Sequence, residues 1–281
     1  MNVLSWNLKQ FNFNPDKAEE DQQLRMMQVA SYIDGVRPDV AAIMEIRPGT
    51  SSGSINQMMD DSQGVLAIEQ VMSYLDTRLQ VTVSGINALR QATAGELYAI
   101  LYNPESVELL SDFNVVYHDS SEQRSDFTNR APGFAVFKHL ATQKTFCVMV
   151  FHAPKPSDMS VAQIQILPEL AVNFLDNVIL CGDFNMDTVA VAKSLGAGFT
   201  AAVAGTGTSL RVKPDGKDSA FDAIFYQTKS HLLCINHGVI NPIQIASEAT
   251  GGSDLSKPEI SATKRFTSDH AGVWAEFMFT Q

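Results

Sequence analysis

The chain has 281 residues, 45% of them hydrophobic and 18% charged, with 20 Lys plus Arg against 31 Asp plus Glu and a formal charge of -11. Enough apolar surface to build a large core excludes a disordered or fibrous protein, and the negative charge argues against holding polyanions through net field alone. No apolar run reaches the roughly 18 residues that span a bilayer, so no membrane association is expected.

No linker-like stretch of Pro, Gly and Ser divides the sequence, which predicts one domain over residues 1–281; a monomer is the expected state. Met1 leads straight into Asn-Val-Leu-Ser-Trp-Asn rather than a basic and then apolar leader, so the expected location is the cytoplasm. Cys147, Cys181 and Cys234 each fall in a strand-like run and read as reduced thiols, not as a disulfide framework.

In chain order, Val3–Trp6 predicts an opening strand that stops at Asn7. An acidic first turn (Glu19, Glu20, Asp21) then precedes a helix with its apolar stripe at Leu24, Met27, Ala30 and Ile33, ended by Gly35 and Pro38. A strand from Val40 to Met44 runs into Glu45. The stretch from Pro48 to Gly64 reads as a surface loop, and Ile68, Val71, Tyr74 and Leu75 trace a second helix.

Strands are predicted near Leu79–Val83, Leu97–Tyr102, Val107–Leu110, Phe113–Tyr117, Phe134–His139 and Thr145–Phe151. A helix follows from Ser160, with Gln163 completing a capping box, toward Phe174, and Pro168 should kink or split it. Val178–Cys181 is a strand leading into Gly182-Asp183-Phe184-Asn185, with a short helix from Asp187. Phe221–Tyr226 and Leu232–Ile235 are later strands, Asn241 to Thr267 reads mostly as loop, and Gly272–Phe279 closes the chain as a strand.

Almost every apolar run begins or ends in a residue able to bind metal or move a proton. Runs exit into Asn7, Glu45, His152 and Asp183 with Asn185, and others start from Glu96, Asp222 and Asp269 with His270. In a sheet with antiparallel neighbours, such exits and starts lie along one edge. Hard oxygen donors such as Glu45 and Asp269 suit Mg²⁺ or Mn²⁺, and two histidines beside carboxylates suit proton transfer.

These residues resemble the endonuclease/exonuclease/phosphatase superfamily, and within it the branch of pancreatic-type deoxyribonuclease. The likeness rests on Leu4-Ser5-Trp6-Asn7, Met44-Glu45-Ile46-Arg47, Glu96-Leu97-Tyr98, Asn129-Arg130-Ala131-Pro132, Phe151-His152-Ala153-Pro154, Gly182-Asp183-Phe184-Asn185, Ala220-Phe221-Asp222 and Ser268-Asp269-His270, in the family's order. It implies an α/β fold, a four-layer αββα sandwich of two packed mixed sheets flanked by helices.

It also implies hydrolysis of a phosphoester, most closely of DNA, by in-line attack of water with one or two divalent ions: Mg²⁺ or Mn²⁺, and a second such as Ca²⁺. By position, Glu45 resembles the principal metal carboxylate, with Asn7 and Asp269 beside it and Asp183 at a second ion. His152 with Glu96 and His270 with Asp222 resemble the proton-transfer pairs, each carboxylate favouring the imidazolium. Asp183 and Asn185 resemble the groups that position water and phosphate. Arg130 resembles the phosphate-facing arginine, and Arg47 a groove-contacting one.

Singly, each of these residues is better read as a solvated or satisfied side chain; the ordered set is what carries the reading. Trp6 and Trp274 read as core. Lys264 and Arg265 read equally as a basic rim or a solvated loop, and Met58-Met59 has no assigned role. The alternatives within the superfamily are a sphingomyelinase-like or other small-phosphoester hydrolase, and outside enzymes a binding module that kept the fold. The second should have lost a ligand or a histidine, and none is missing.

Overall fold

Strand alternation decides which side chains meet between layers, and hence where the polar groups gather. In a computed structural model of the chain, residues 1–13, 17–48, 62–75, 79–86, 96–115, 127, 130–155, 158–172, 177–210, 219–252 and 255–280 are described. The elements are β1 (Asn2–Phe11), α1 (Glu19–Val36), β2 (Val40–Ile46), α2 (Gln63–Tyr74), β3 (Gln80–Ile86), β4 (Glu96–Tyr102), β5 (Val107–Val115), β6 (Gly133–His139) and β7 (Thr145–His152). They continue with α3 (Asp158–Val172), β8 (Val178–Asp183), α4 (Thr188–Leu195), β9 (Phe199–Val203), β10 (Asp222–Gln227), β11 (Leu232–Ile240), α5 (Pro242–Ala249), α6 (Lys257–Phe266) and β12 (Gly272–Phe279).

Two mixed six-stranded sheets result, in the orders β11-β12-β1-β2-β4-β3 and β5-β6-β7-β8-β10-β9. Each has a parallel pair at its centre, β1 with β2 and β7 with β8, flanked by antiparallel neighbours. Between the sheets lies one core (Val3, Val40, Ala42, Met44, Tyr98, Ile100, Val148, Val150, Ile179, Cys181, Ile224, Val273). A second core packs α1 and α2 on the outer face of the first sheet, through Met26, Val29, Ile33, Ala67, Ile68 and Val71 on Leu4, Trp6, Ala41 and Ile43. A third packs α3 and α4 on the other sheet, through Ile164, Leu167 and Val191 on Cys147, Met149, Phe151 and Leu180. This is the expected four-layer sandwich.

Alternation then locates the polar residues. Along β7, Val148 and Val150 face the other sheet while Met149 and Phe151 face helices, so His152 continues the inward row. By the same count Asn7 ends the inward row of β1, Asp183 that of β8, and Glu96 and Asp222 begin those of β4 and β10. His152, Asp183 and Asp222 are direct register partners across β7, β8 and β10.

Several expectations are corrected. The first strand runs past Asn7 to Phe11, with left-handed backbone at Lys9 and Gln10 where its register to β2 shifts. In α1 the buried stripe is Gln22, Met26, Val29, Ala30 and Ile33, while Leu24 and Met27 are exposed. The strands expected over Val107–Leu110 and Phe113–Tyr117 are one as far as Val115, β5, whose polar middle at Ser111 is absorbed by register shifts; residues 116 and 117 lie outside the described residues. Helix α3 starts at Asp158, so Ser160 lies inside it, and Pro168 sits within the helix without dividing it.

Beyond that, β9 is an unforeseen strand, and β11 extends to Ile240. The stretch from Asn241 to Thr267 holds two helices. Asn241 accepts from the Ile243 and Gln244 amides ahead of Pro242, and Ser256 forms a capping box with Glu259. Residues 49–61, including Met58 and Met59, and Asn129 lie outside the described residues. Among the described residues, no helix is long and apolar enough to cross a membrane.

The cysteines are free thiols: Cys147 and Cys181 are buried and Cys234 partly so.

Candidate active site

The inward polar row meets at the carboxyl ends of the two parallel pairs, where open α/β sheets leave room for ligands. Glu45 reaches it by a break in alternation. Val40, Ala42 and Met44 face the inner core while Ala41 and Ile43 face helices, so a regular strand would turn Glu45 outward. A left-handed backbone at Glu45 (φ 57°) resets the count: Ile46 takes the outward place, and the carboxylate reaches the cleft. Asn185, just past β8, is left-handed as well (φ 51°).

Asn7 ties the two sheets together. Its amide nitrogen donates to Glu45 Oε1 at 2.9 Å and to Asp183 Oδ2 at 2.9 Å, while its Oδ1 accepts from the Lys9 amide at 2.8 Å. As placed, Asn7 clamps two carboxylates through nitrogen and does not offer them an oxygen. Ser268 donates to the Asn7 carbonyl, and Trp6 Nε1 donates to the His270 carbonyl at 2.9 Å. Buried Trp6 is core as expected, and it also holds the loop that carries His270.

Two carboxylate–imidazole pairs stand beside Asp183. His152 Nδ1 lies 2.9 Å from Glu96 Oε2, and its Nε2 is 3.6 Å from Asp183 Oδ2 and 3.7 Å from Glu45 Oε1. Arg130 donates to Glu96 Oε1 and to His152 Nε2, each at 2.8 Å, and to the Ala153 carbonyl at 2.9 Å. A guanidinium only donates, so Nε2 accepts and Nδ1–H is left to bond Glu96. Buried Tyr98 accepts from the His152 amide at 2.9 Å. Glu96 is held down at about 2: burial pushes its carboxyl up, but the His152 and Arg130 contacts outweigh burial.

His270 Nδ1 lies 2.9 Å from Asp222 Oδ2, and its Nε2 is 3.8 Å from Asp183 Oδ2 and 3.9 Å from Asp269 Oδ1. Burial would discharge this ring, yet Asp222, Asp183 and Asp269 together raise it to about 10. The carboxylate partners are expected from the sequence to favour the cation of each imidazole, and for His270 the direction agrees. Asn185 is fixed at both ends, its amide N–H on Asp183 Oδ1 and its side-chain nitrogen on the Ala153 carbonyl, each at 2.8 Å.

The expected residues do not all converge. Glu45, His152 and Asp183 bring one donor atom each within 4.8 Å of one another, as do Asp183, Asp222 and His270. Glu45 and Asp183 turned on one amide, in largely buried surroundings, form a hard-oxygen set that fits a divalent cation. Asp269 stands to the side, with its Oδ2 on the Lys9 ammonium. Arg47 lies beyond it, in a cavity shared with Lys9 and Asp269. Lys9 was not foreseen; a lysine two residues after Asn7 carries no signal until the strand is seen to run on and turn it toward Asp269.

No family model matches the sequence, and no curated protein does. Solved structures do match in fold. An endonuclease/exonuclease/phosphatase from Bacteroides vulgatus is 17% identical over 99% of this chain and 98% of its own, with a TM-score of 0.65. A Bacteroides thetaiotaomicron mannosyl-6-phosphatase is 17% identical over 99% and 100%, with a TM-score of 0.63. The D. rerio TDP2 complexed with single strand DNA product is 15% identical over 99% and 98%, with a TM-score of 0.64. Two six-stranded sheets packed between helices, with this whole-length likeness, give the chain the fold of the endonuclease/exonuclease/phosphatase proteins.

Proposed function

We propose that this chain is a divalent-metal-dependent phosphoesterase and, within that class, a phosphodiesterase that cleaves DNA internally. The observation that carries the reading is the meeting of Glu96–His152 and Asp222–His270 at one carboxylate, Asp183, with Glu45 beside it. Nothing in a core or on a plain surface calls for two oriented imidazoles and clustered carboxylates at one cleft. The neighbours named as a mannosyl-6-phosphatase and as a TDP2 holding a DNA product support phosphoester chemistry on this fold.

Glu45 and Asp183 would hold the ion, which supplies charge neutralisation on the phosphoryl oxygens. The chain's own groups divide the proton work. His270, kept cationic by three carboxylates, is the donor to a phosphoryl or leaving oxygen, and His152, whose Nε2 accepts a hydrogen bond, is the acceptor. Arg130 now caps that nitrogen. Turned to a phosphate oxygen, it would release the Nε2 lone pair to take the proton of the attacking water. Asp183 orients that water, and Asn185, tied to Asp183 and Ala153, holds the loop in register.

The test is cleavage of supercoiled plasmid with Mg²⁺, Mn²⁺, Ca²⁺ or EDTA, beside Glu45→Gln and His152→Ala. Metal-dependent nicking is expected, abolished by EDTA and reduced about a hundredfold or more in each variant. Intact plasmid alongside release of phosphate from mannose 6-phosphate would replace the nuclease with a sugar phosphatase. Inertness of well-folded protein toward every phosphoester would leave a binding module.

A further inference from the structure

Tyr98 stands two residues after Glu96 on β4, on the face turned to the other sheet, and is completely buried. A phenylalanine would fill the same space. Burying a hydroxyl between two apolar sheets is costly unless its oxygen is bonded, so what the oxygen meets there matters. It meets the end of β7. The amides of Cys147 and Ala153 donate to the carbonyls of Asn177 and Asp183, each at 2.8 Å, so the odd-numbered residues of β7 turn their amides to the β8 side. The His152 amide turns the other way, toward β6. Yet β6 begins at Gly133, opposite Val150, and Ala131 and Pro132 before it are outside any strand. The sheet leaves the His152 amide without a strand partner, and Tyr98 accepts it at 2.9 Å from the opposite sheet.

His152 is thus gripped twice by one strand. Glu96 holds the ring at Nδ1 and Tyr98 holds the backbone, each at 2.9 Å. With peptide and ring both fixed, turning the side chain breaks a contact, and Nε2 stays aimed at Asp183 and Glu45, 3.6 and 3.7 Å away. Gly133 makes room for this reach. A Cβ there would lie 3.0 Å from the Tyr98 ring and 2.6 Å from Phe113, against which Tyr98 packs with ring centroids 6.3 Å apart. Burial, with Glu96 and Asp183 nearby, keeps the hydroxyl protonated far above its ordinary range, so it accepts the amide without adding another negative charge to the cleft.

We infer that Tyr98 is a positioning residue: through the backbone of His152 it fixes the imidazole that takes the proton of the attacking water. The inference rests on the reading of His152 as that acceptor. Tyr98 acts through His152 and not on substrate, so its loss should lower kcat and leave KM unchanged. Aim of the ring matters when the proton moves, not when the substrate binds.

Two measurements on the full chain test this. The first is amide hydrogen exchange by NMR in EDTA. In wild type the His152 amide should exchange about as slowly as that of Val150, and in Tyr98→Phe it should exchange about tenfold faster or more while Val150 is unchanged. The second is steady-state hydrolysis of bis(p-nitrophenyl) phosphate with Mg²⁺ by wild type, Tyr98→Phe, His152→Ala and the double variant. Tyr98→Phe should lower kcat about tenfold with KM unchanged, and should cost nothing further once His152 is alanine.

Fast exchange of the His152 amide in wild type overturns the contact without any variant. Faster exchange along the whole of β7, or an equal loss of kcat with and without His152, makes Tyr98 a packing residue and overturns its role. Because exchange is read without metal or turnover, the two readings fail separately. Selective exposure of the His152 amide by Tyr98→Phe, in a protein that hydrolyses no phosphoester, supports the grip on His152 and sinks the hydrolase. Turnover by wild type with kcat unchanged in Tyr98→Phe does the reverse.

Discussion

His270 shows how a few contacts set the state of one group. Its ring is buried, which favours the neutral form, but Asp222 at 2.9 Å, Asp183 at 3.8 Å and Asp269 at 3.9 Å outweigh burial and hold the proton to about pH 10. Asp222 does most, being a hydrogen-bond partner as well as a charge. Asp222→Asn should therefore bring the His270 titration of metal-free protein down by several pH units toward the ordinary 6.5, and cut turnover about a hundredfold. Proton–nitrogen correlation spectra of the imidazole read the first effect directly. An unmoved titration would remove Asp222 as its cause. His152 differs in one respect that no sequence pattern carries: Arg130 donates to its Nε2, so chemically similar pairs present one donor and one acceptor to the same carboxylate.

At the scale of elements, the parallel pair β7–β8 depends on Gly182. A Cβ there would sit 1.8 Å from the Phe151 carbonyl oxygen, so any side chain must part the strands one residue before His152 and Asp183, which are register partners. Gly182→Ala should cost about 3 kcal/mol of stability and lower turnover beyond what stability explains; urea melts and rates at a temperature where the variant is folded test both, and unchanged values would contradict the packing. The same elements show what was legible in the sequence. Runs such as Val40–Met44 and Val178–Cys181 are apolar on both faces because each lies between a helix layer and the other sheet, so their ends, and the polar residues there, could be read. Helices α5 and α6 could not be read from periodicity, since α5 buries only Pro242 and α6 buries nothing; their caps at Asn241 and Ser256 were the available signal. Glu45 was legible as a residue but not in its reach, which depends on a backbone reversal that sequence does not display.

For the whole molecule, two shifts of opposite sign bound the pH range of the metal-free fold. Glu96 is lowered from 4.5 to about 2, so its contribution is complete above its ordinary value and is lost as pH falls through the folded one. His270 is raised from 6.5 to about 10, so its contribution is complete below its ordinary value and is lost as pH rises through the folded one. Both are therefore whole only between about pH 4.5 and 6.5, where the stability of the chelated protein should peak. The net charge of -11 at neutral pH adds self-repulsion that eases on the acid side of neutrality, which moves the optimum the same way. Urea midpoints in EDTA from pH 3 to pH 10 measure the profile. Glu96→Gln should flatten its acid limb alone and His270→Gln its alkaline limb alone. An alkaline limb that survives His270→Gln would mean that another group unloads there and that the Asp222–His270 pair does not carry the fold's pH dependence. Adding Mg²⁺ at neutral pH should then raise the midpoint in proportion to RT ln(1 + [Mg²⁺]/Kd), and Glu45→Gln should remove that gain, because an ion held by Glu45 and Asp183 stabilises only the state that brings the two sheets together.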